Sequence, residues 1–116
     1  MDFVERCYQT TAKFPREELF GLPSQIRRAA VSVPSNVAEG YSRRKTRVYL
    51  HHVRIALGSH GELETCIEIA CRLGLLSSTT AAPLEEHLGS VGKLLYRLHE
   101  SLEEKVRREK NSPRVR

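Results

Sequence analysis

Three histidines lie close together in the middle of the chain, and histidine binds metals and moves protons near neutral pH. His51 and His52 are adjacent, and His60 follows eight residues after His52. A separation of eight puts His52 and His60 on roughly the same face of a helix. No carboxylate or cysteine completes a set at metal-ligand spacing. We therefore expect polar or interface histidines and no metal site.

A serine beside a histidine could supply a nucleophile and a base, and Ser59 precedes His60, with His87 further along. Neither pair lies in a nucleophile-elbow motif with a glycine turn for an oxyanion hole. The glycines Gly58 and Gly61 fall within a helical pattern, so they do not form a phosphate-binding loop after a strand. The glutamates stand at helical spacing from basic residues, which is typical of solvated faces. We expect no enzymatic activity and no cofactor.

The cations, in contrast, are clustered. Between Glu39 and Glu62 there is no acidic residue. The basic residues in that interval are Arg43, Arg44, Lys45, Arg47 and Arg54. Clustered cations neutralise phosphates and release counterions, which gives salt-dependent binding with little dependence on sequence. Tyr41 and Tyr49 flank the cluster and could stack on bases.

The cluster predicts a surface for RNA or a nucleoprotein. The candidate nucleic-acid-binding residues are Arg27, Arg28, Arg43, Arg44, Lys45 and Arg47. Two alternatives remain open from the residues alone. A solvated charged turn has the same composition, and an acidic protein could bind the same cations. The net charge of +5 does not decide between them, because it also aids solubility.

Hydrophobic periodicity predicts four helices that would position this cluster. They are expected at about Asp2–Lys13, Ser24–Ser42 and Thr46–Leu73, and from the residue after the Ser77–Thr80 cluster to Val106. The third is predicted to be the longest, with two apolar stripes that contact two neighbouring helices. One stripe consists of Val48, Ile55, Cys66, Ile69 and Leu73. The other consists of Val53, Ala56, Leu63, Ile67 and Ala70. No strand pattern occurs, so the predicted fold is all-α, an antiparallel up-down four-helix bundle.

Prolines, glycines and a serine predict where the helices begin, bend and end. Pro34 interrupts the apolar pattern of the second helix, but the pattern resumes in phase, so we expect one kinked helix. Pro15 is expected to end the first helix and to start a connection that runs to Pro23. Ser24 is expected to be the N-cap of the second helix, and Gly40 and Ser42 to mark its end. Gly74 is expected to end the third helix.

The fourth helix has a heptad seam, and its leucines Leu88, Leu95 and Leu98 are expected to be buried. Beyond Val106 the sequence is polar, basic and interrupted by proline. Residues 107–116 are therefore expected to form a disordered tail, with the bundle domain at residues 1–106. Basic residues around this boundary include Lys105, Arg107, Arg108 and Lys110.

Length and composition agree with a single small helical domain. The 116 residues include no Trp and 3 Cys, and no C-x-x-C pair occurs. Buried thiols in a reducing compartment are the expected state. No signal-peptide pattern or long apolar run is present, so we expect a cytoplasmic protein.

The chain resembles the four-helix-bundle proteins encoded in intervening sequences of bacterial 23S rRNA genes. A related bundle is the accessory protein of diversity-generating retroelements. The matching positions are Phe14-Pro15, Gly21-Leu22, Gln25, Arg27-Arg28-Ala29, Ser32, Pro34, Asn36, Ala38-Glu39-Gly40, Arg43, Ile55-Ala56, Gly58-Ser59 and Glu62-Leu63-Glu64-Thr65.

This resemblance implies an antiparallel four-helix bundle that assembles into a homopentamer. For the retroelement relatives it also implies binding of a reverse transcriptase and nucleic acid through a basic surface. At two neighbouring positions the family often has an apolar residue followed by a polar one. This chain has His60 and Gly61 there, and so departs from the family pattern. That departure predicts looser packing in the middle of the third helix. A structural oligomer or protein–protein adaptor is the alternative function.

Overall fold

The computed structural model describes residues 2–14 and 21–111, which form four α-helices. Their bounds are Asp2–Thr11 for α1, Leu22–Ser42 for α2, Thr46–Arg72 for α3 and Ser78–Asn111 for α4. No strand occurs within these two ranges. The prediction of an all-α protein with four helices is confirmed.

The start of α2 differs from the prediction. The helix begins at Leu22, with Gly21 at the N-cap position and Pro23 in the first turn, and no side chain caps it. Proline suits this place because first-turn amides have no helical acceptor and its φ already fits a helix. The N-cap therefore lies three residues before Ser24, and the prediction of Ser24 as N-cap is wrong. The expected connection Pro15–Pro23 lies mostly outside the described residues.

α2 continues through Pro34 without interruption, as predicted. Gly40, in contrast, does not end the helix. It lies two residues before the last helical residue, Ser42, and is buried. Gly40 therefore acts at a helix–helix contact, and the prediction that it marks a helix end is wrong.

The lengths of α3 and α4 also correct the sequence prediction. α4 has 34 residues and α3 has 27, so the third helix is not the longest. Val106, the predicted end of the fourth helix, packs against the cluster of Leu50, Val53 and Leu102, and α4 continues beyond it to Asn111. Residues 107–111 are helical where a disordered tail was expected, and residues 112–116 lie outside the described part.

The connection from α3 to α4 follows the expected pattern. Gly74 adopts a left-handed φ of 77°, and the amides of Leu75 and Leu76 donate to the carbonyl of Ala70. A residue without a side chain adopts this conformation most easily, so Gly74 ends α3 as predicted. The Ser77 hydroxyl then accepts a 3.1 Å hydrogen bond from the amide of Thr80 in the first turn of α4.

Two groups of buried side chains form the core. The larger joins all four helices and includes Cys7, Ile26, Leu63 and Leu88. The smaller lies between α3 and α4 and consists of Leu50, Val53 and Leu102, packed against partly buried neighbours. The predicted seam of α4 is largely confirmed, with Leu84, Leu88, Leu95 and Leu102 buried, whereas Leu98 is only half-buried.

The two predicted stripes of α3 differ in burial. The stripe containing Val53, Leu63 and Ile67 is fully buried. In the other stripe Cys66 is buried, but Ile55 and Ile69 are 39% and 41% exposed. That second stripe is therefore only partly covered, and part of the predicted broad apolar face remains on the surface.

Polar contacts identify which parts of the helices meet. Between α2 and α3, the hydroxyls of Ser32 and Ser59 are 2.7 Å apart, and the Asn36 amide oxygen lies 3.0 Å from His52 Nδ1. Near the end of α4, Glu109 accepts a 3.2 Å hydrogen bond from Thr46 at the start of α3. The turn between α2 and α3 therefore lies beside the C-terminal end of α4.

Candidate nucleic-acid interface

Four predicted binding residues lie together where α2 passes into α3. Arg43, Arg44 and Lys45 make up the whole connection, Arg47 lies in the first turn of α3, and all four are exposed. We call these four residues the basic turn. Lys45 is also the N-cap of α3 and provides no side-chain cap. Since the N-terminus of a helix has partial positive charge, its dipole adds to the four side-chain charges.

The backbone at Arg44 is in the left-handed region, with φ 59°. Its amide donates a 3.3 Å hydrogen bond to the Tyr41 carbonyl, which closes the end of α2. Glycine is usual at such a position, and another residue there costs roughly 1–2 kcal/mol. If this position served only to end the helix, glycine would be favoured, but the chain has an arginine there.

Arg43 has a carboxylate partner. Its guanidinium forms a hydrogen-bonded ion pair with Glu39, one helical turn earlier. The hydrogen bond and charge of Arg43 lower the pKa of the Glu39 carboxyl below its ordinary value. Glu39 offsets part of the positive charge of the basic turn, so Arg44, Lys45 and Arg47 are the stronger candidates for binding phosphate.

α4 adds a further cation that the sequence did not place here. Lys105 lies across from the basic turn and lines a cavity together with Arg44 and Lys45. The sequence placed Lys105 next to a disordered tail, but α4 continues past it as a helix. Periodicity predicts the helix as far as Val106, and so includes Lys105, but it does not show which turn lies beside that end of the helix.

The cavity beside the basic turn has a volume of about 280 Å³. It is lined by Gly40, Tyr41, Arg44, Lys45, Thr46, Tyr49, Leu102 and Lys105. Three cations surround it, whereas its lining includes no carboxylate from the part of the chain that the structure describes. Glu109 is close, but it accepts a hydrogen bond from Thr46. The cavity therefore combines positive charge with aromatic and aliphatic surface.

Tyr41 and Tyr49 form an aromatic pair at this cavity. Their ring centroids are 5.8 Å apart and their planes are inclined by 71°, an edge-to-face arrangement. Tyr49 is half-buried, and burial, with a smaller contribution from Tyr41, raises the pKa of its hydroxyl. Tyr41 is 70% exposed. One ring thus anchors the pair in the protein while the other faces solvent beside the cations.

Arg27 and Arg28 do not join this group. Sixteen residues of continuous helix separate Arg27 from Arg43, about 24 Å at 1.5 Å per residue. The Arg27 guanidinium donates a 2.8 Å hydrogen bond to Thr11 and stacks 4.7 Å from the ring centroid of Tyr8. Arg27 therefore holds α1 against α2, and the predicted set of six cations divides into two separate places.

The histidines and serines have partners inside the bundle. His60 is buried, and its Nε2 atom lies 2.7 Å from the backbone carbonyl oxygen of Leu88. The Ser59 hydroxyl pairs with Ser32 and not with a histidine. α3 is continuous through His60 and Gly61. His60 thus crosslinks α3 to α4, where the sequence had predicted looser packing.

Among residues 2–14 and 21–111, no group of three or more histidine, cysteine, aspartate or glutamate side chains could hold a metal ion. Within the same residues, no helix combines the length and apolar character that crossing a membrane requires.

The family model for the 23S rRNA-intervening sequence protein matches residues 1–97. The chain belongs to this family. No curated protein matches the chain. The matched range contains the basic turn and both tyrosines but ends before Leu102 and Lys105. The α4 residues that complete the cavity therefore lie outside the part that matches the family.

Proposed function

We propose that this member of the 23S rRNA-intervening sequence protein family is a non-enzymatic, cytoplasmic module that offers the basic turn to RNA or a nucleoprotein. The observation that supports this most directly is the convergence of Arg44, Lys45 and Lys105 on one cavity whose lining, among residues 2–14 and 21–111, includes no carboxylate. Three positive charges beside a helix N-terminus attract polyanions, and phosphates satisfy them without base recognition.

The absence of enzymatic activity is proposed from the partners of the reactive side chains. Ser59 is hydrogen-bonded to Ser32, and His60 is bonded to the Leu88 carbonyl, so the two do not form a nucleophile–base pair. Burial raises the pKa of Cys7 and Cys66 and keeps these thiols protonated. These groups stabilise the bundle and are poorly placed for catalysis.

We propose an antiparallel up-down bundle with α2 kinked at Pro34. The contacts that favour it run in opposite order along paired helices. Ser32 meets Ser59 whereas Asn36 meets His52, so later residues of α2 meet earlier residues of α3. A kink at Pro34 is expected because proline removes a backbone donor and its ring clashes with the preceding turn.

Self-association, as a homopentamer by resemblance to the family, is also proposed. A groove of about 520 Å³ is lined by side chains of all four helices, most of them apolar. The apolar side chains along it include Val33, Val37, Val91, Leu94 and Leu98. Leu94 at its margin is 63% exposed. Contact with a second copy would remove this surface from water.

Two partners are compatible with the basic turn. RNA is favoured by the aromatic pair next to the cations, because tyrosines stack on bases. By resemblance to the retroelement accessory proteins, a reverse transcriptase is a further partner. A structural oligomer or protein–protein adaptor would need the apolar groove but not the basic turn. Titration of labelled RNA at two salt concentrations tests the proposal, since phosphate binding weakens as salt rises.

A further inference from the structure

We infer that the cavity beside the basic turn takes one unpaired RNA base, which stacks on Tyr41 while Arg44, Lys45 and Lys105 hold the neighbouring phosphate. The inference rests on the proposed binding of RNA and adds a preference for single strands. It follows from three properties of the cavity: its size, its lining and the exposure of Tyr41.

The volume suits a single ring system. At about 280 Å³ the cavity lies just below the 300–1,000 Å³ typical of pockets for drug-sized ligands. The small core of Leu50, Val53 and Leu102 lies beneath it, so its inner wall is fixed by packing between α3 and α4. A flat group of one or two rings fits this space better than a larger cofactor.

The lining places charge and aromatic surface next to each other. The positive groups belong to the α2–α3 connection on one side and to α4 on the other. Tyr41 and Tyr49 stand between them as an edge-to-face pair. A nucleotide has the same two parts, a planar apolar base and an anionic phosphate. Free phosphate would contact only the cations and not the aromatic pair.

Tyr41 is the residue that makes the inference specific for unpaired bases. It is 70% exposed although its contact with Tyr49 restrains it, so its apolar ring remains available to a ligand. In a duplex each base is covered by its neighbours in the stack, whereas an unpaired base can turn out and stack on an aromatic side chain. The cavity therefore favours single-stranded RNA.

The test uses the full chain and a short RNA with one fluorescent 2-aminopurine, single-stranded or annealed to its complement. Binding of the single strand is expected to quench the 2-aminopurine, because stacking on an aromatic ring quenches it. Tyr41→Ala is expected to weaken single-strand binding about fivefold or more, the typical contribution of one stacked base. Tyr41→Phe keeps the ring and is expected to bind like the wild type.

Tyr96→Ala is the matched control, because Tyr96 is similarly exposed at 61% but does not line the cavity. It is expected to leave both affinity and quenching unchanged. Circular dichroism and sedimentation of Tyr41→Ala check that its fold and assembly are intact. The quenching of 2-aminopurine by the wild type is a second readout that needs no variant.

The outcomes separate the two proposals. If RNA binds in a salt-dependent way but Tyr41→Ala binds equally well, or duplex binds as tightly as the single strand, the base-stacking inference is wrong and the proposed function stands. If neither form of RNA binds at low salt, the proposed function itself is wrong, and the stacking inference falls with it.

Discussion

A side chain on Gly40 would collide with His52. A Cβ atom built on Gly40 would lie 2.7 Å from the Cβ of His52, and it would also approach the ring and backbone of Tyr49. The absence of a side chain therefore lets α2 and α3 approach closely, immediately before the basic turn. Because His52 also lies 3.0 Å from Asn36, this contact fixes the relative position of the two helices.

Gly40→Ala is expected to destabilise the fold relative to Gly89→Ala. Both substitutions put alanine into a helix and gain propensity, but a Cβ on Gly89 meets nothing within 4 Å. Overpacking at Gly40 is expected to make that variant about 1–3 kcal/mol less stable than Gly89→Ala in denaturant unfolding. Equal stability of the two variants would show that α2 and α3 are not in close contact at Gly40.

Arg44→Gly is expected to separate stability from binding. Glycine relieves the left-handed strain at φ 59° but gains chain entropy in the unfolded state, so stability is expected to change by about 1 kcal/mol or less. RNA binding is nevertheless expected to weaken, because one of the three cations at the cavity is lost. Denaturant melts and an RNA titration on the same sample measure both. Unchanged RNA affinity would remove Arg44 from the proposed interface.

Helix type and most of the core could be predicted from the sequence because they follow from local periodicity. The buried stripe of α3 and the seam of α4 repeat every three or four residues, and packing preserves that pattern. Gly40 and Arg27 could not be placed in this way. A buried glycine in a helix and an arginine stacked on Tyr8 depend on residues of another helix, which periodicity does not encode.

The candidate site was predicted only in part for the same reason. Arg43 to Arg47 are neighbours in sequence, so their proximity is local and was foreseen. Lys105 follows Lys45 by 60 positions in the chain and lines the same cavity only because the end of α4 packs beside the turn between α2 and α3. Arg27 lies near the start of α2, and Arg43 directly follows the end of that helix, about 24 Å away. The predicted set of six cations therefore covered two separate places.

The three thiols are expected to react in the order set by their burial. Cys7 is fully buried, which raises its pKa from 9.0 to about 11, so at pH 8 it remains almost entirely protonated. Cys71 is half-buried and is expected to react first with a chromogenic disulfide reagent. Cys71→Ser is expected to remove the fast phase. Rapid labelling of Cys7 in the native protein would contradict the packing of α1.

Leu94→Glu is expected to weaken self-association. A carboxylate at this 63% exposed position would put charge at the margin of the apolar groove that we propose a second copy covers. Sedimentation velocity at micromolar concentration is expected to show an oligomer for the wild type and smaller species for the variant. Ala82→Glu adds the same charge at an exposed position near the start of α4 and serves as the control. A monomeric wild type would contradict the proposed assembly.

The central proposal is that the basic turn binds RNA through phosphates, and the salt dependence of binding tests it most directly. Fluorescence anisotropy of a labelled single strand is measured over a range of salt concentrations. The test variant replaces Arg43, Arg44, Lys45 and Arg47 with Ser. The control variant removes the same number of charges from exposed positions away from the turn, at Arg6, Lys13, Arg72 and Lys93.

The wild type and the control variant are expected to bind with affinities that fall steeply as salt rises. For the basic-turn variant, the slope of log affinity against log salt is expected to be smaller in magnitude by up to about 3, at roughly 0.7 for each lost phosphate contact. The helical circular-dichroism signal is expected to be unchanged in all three proteins. Absence of wild-type binding at low salt, or equal slopes for the two variants, would contradict a phosphate-binding role for the basic turn.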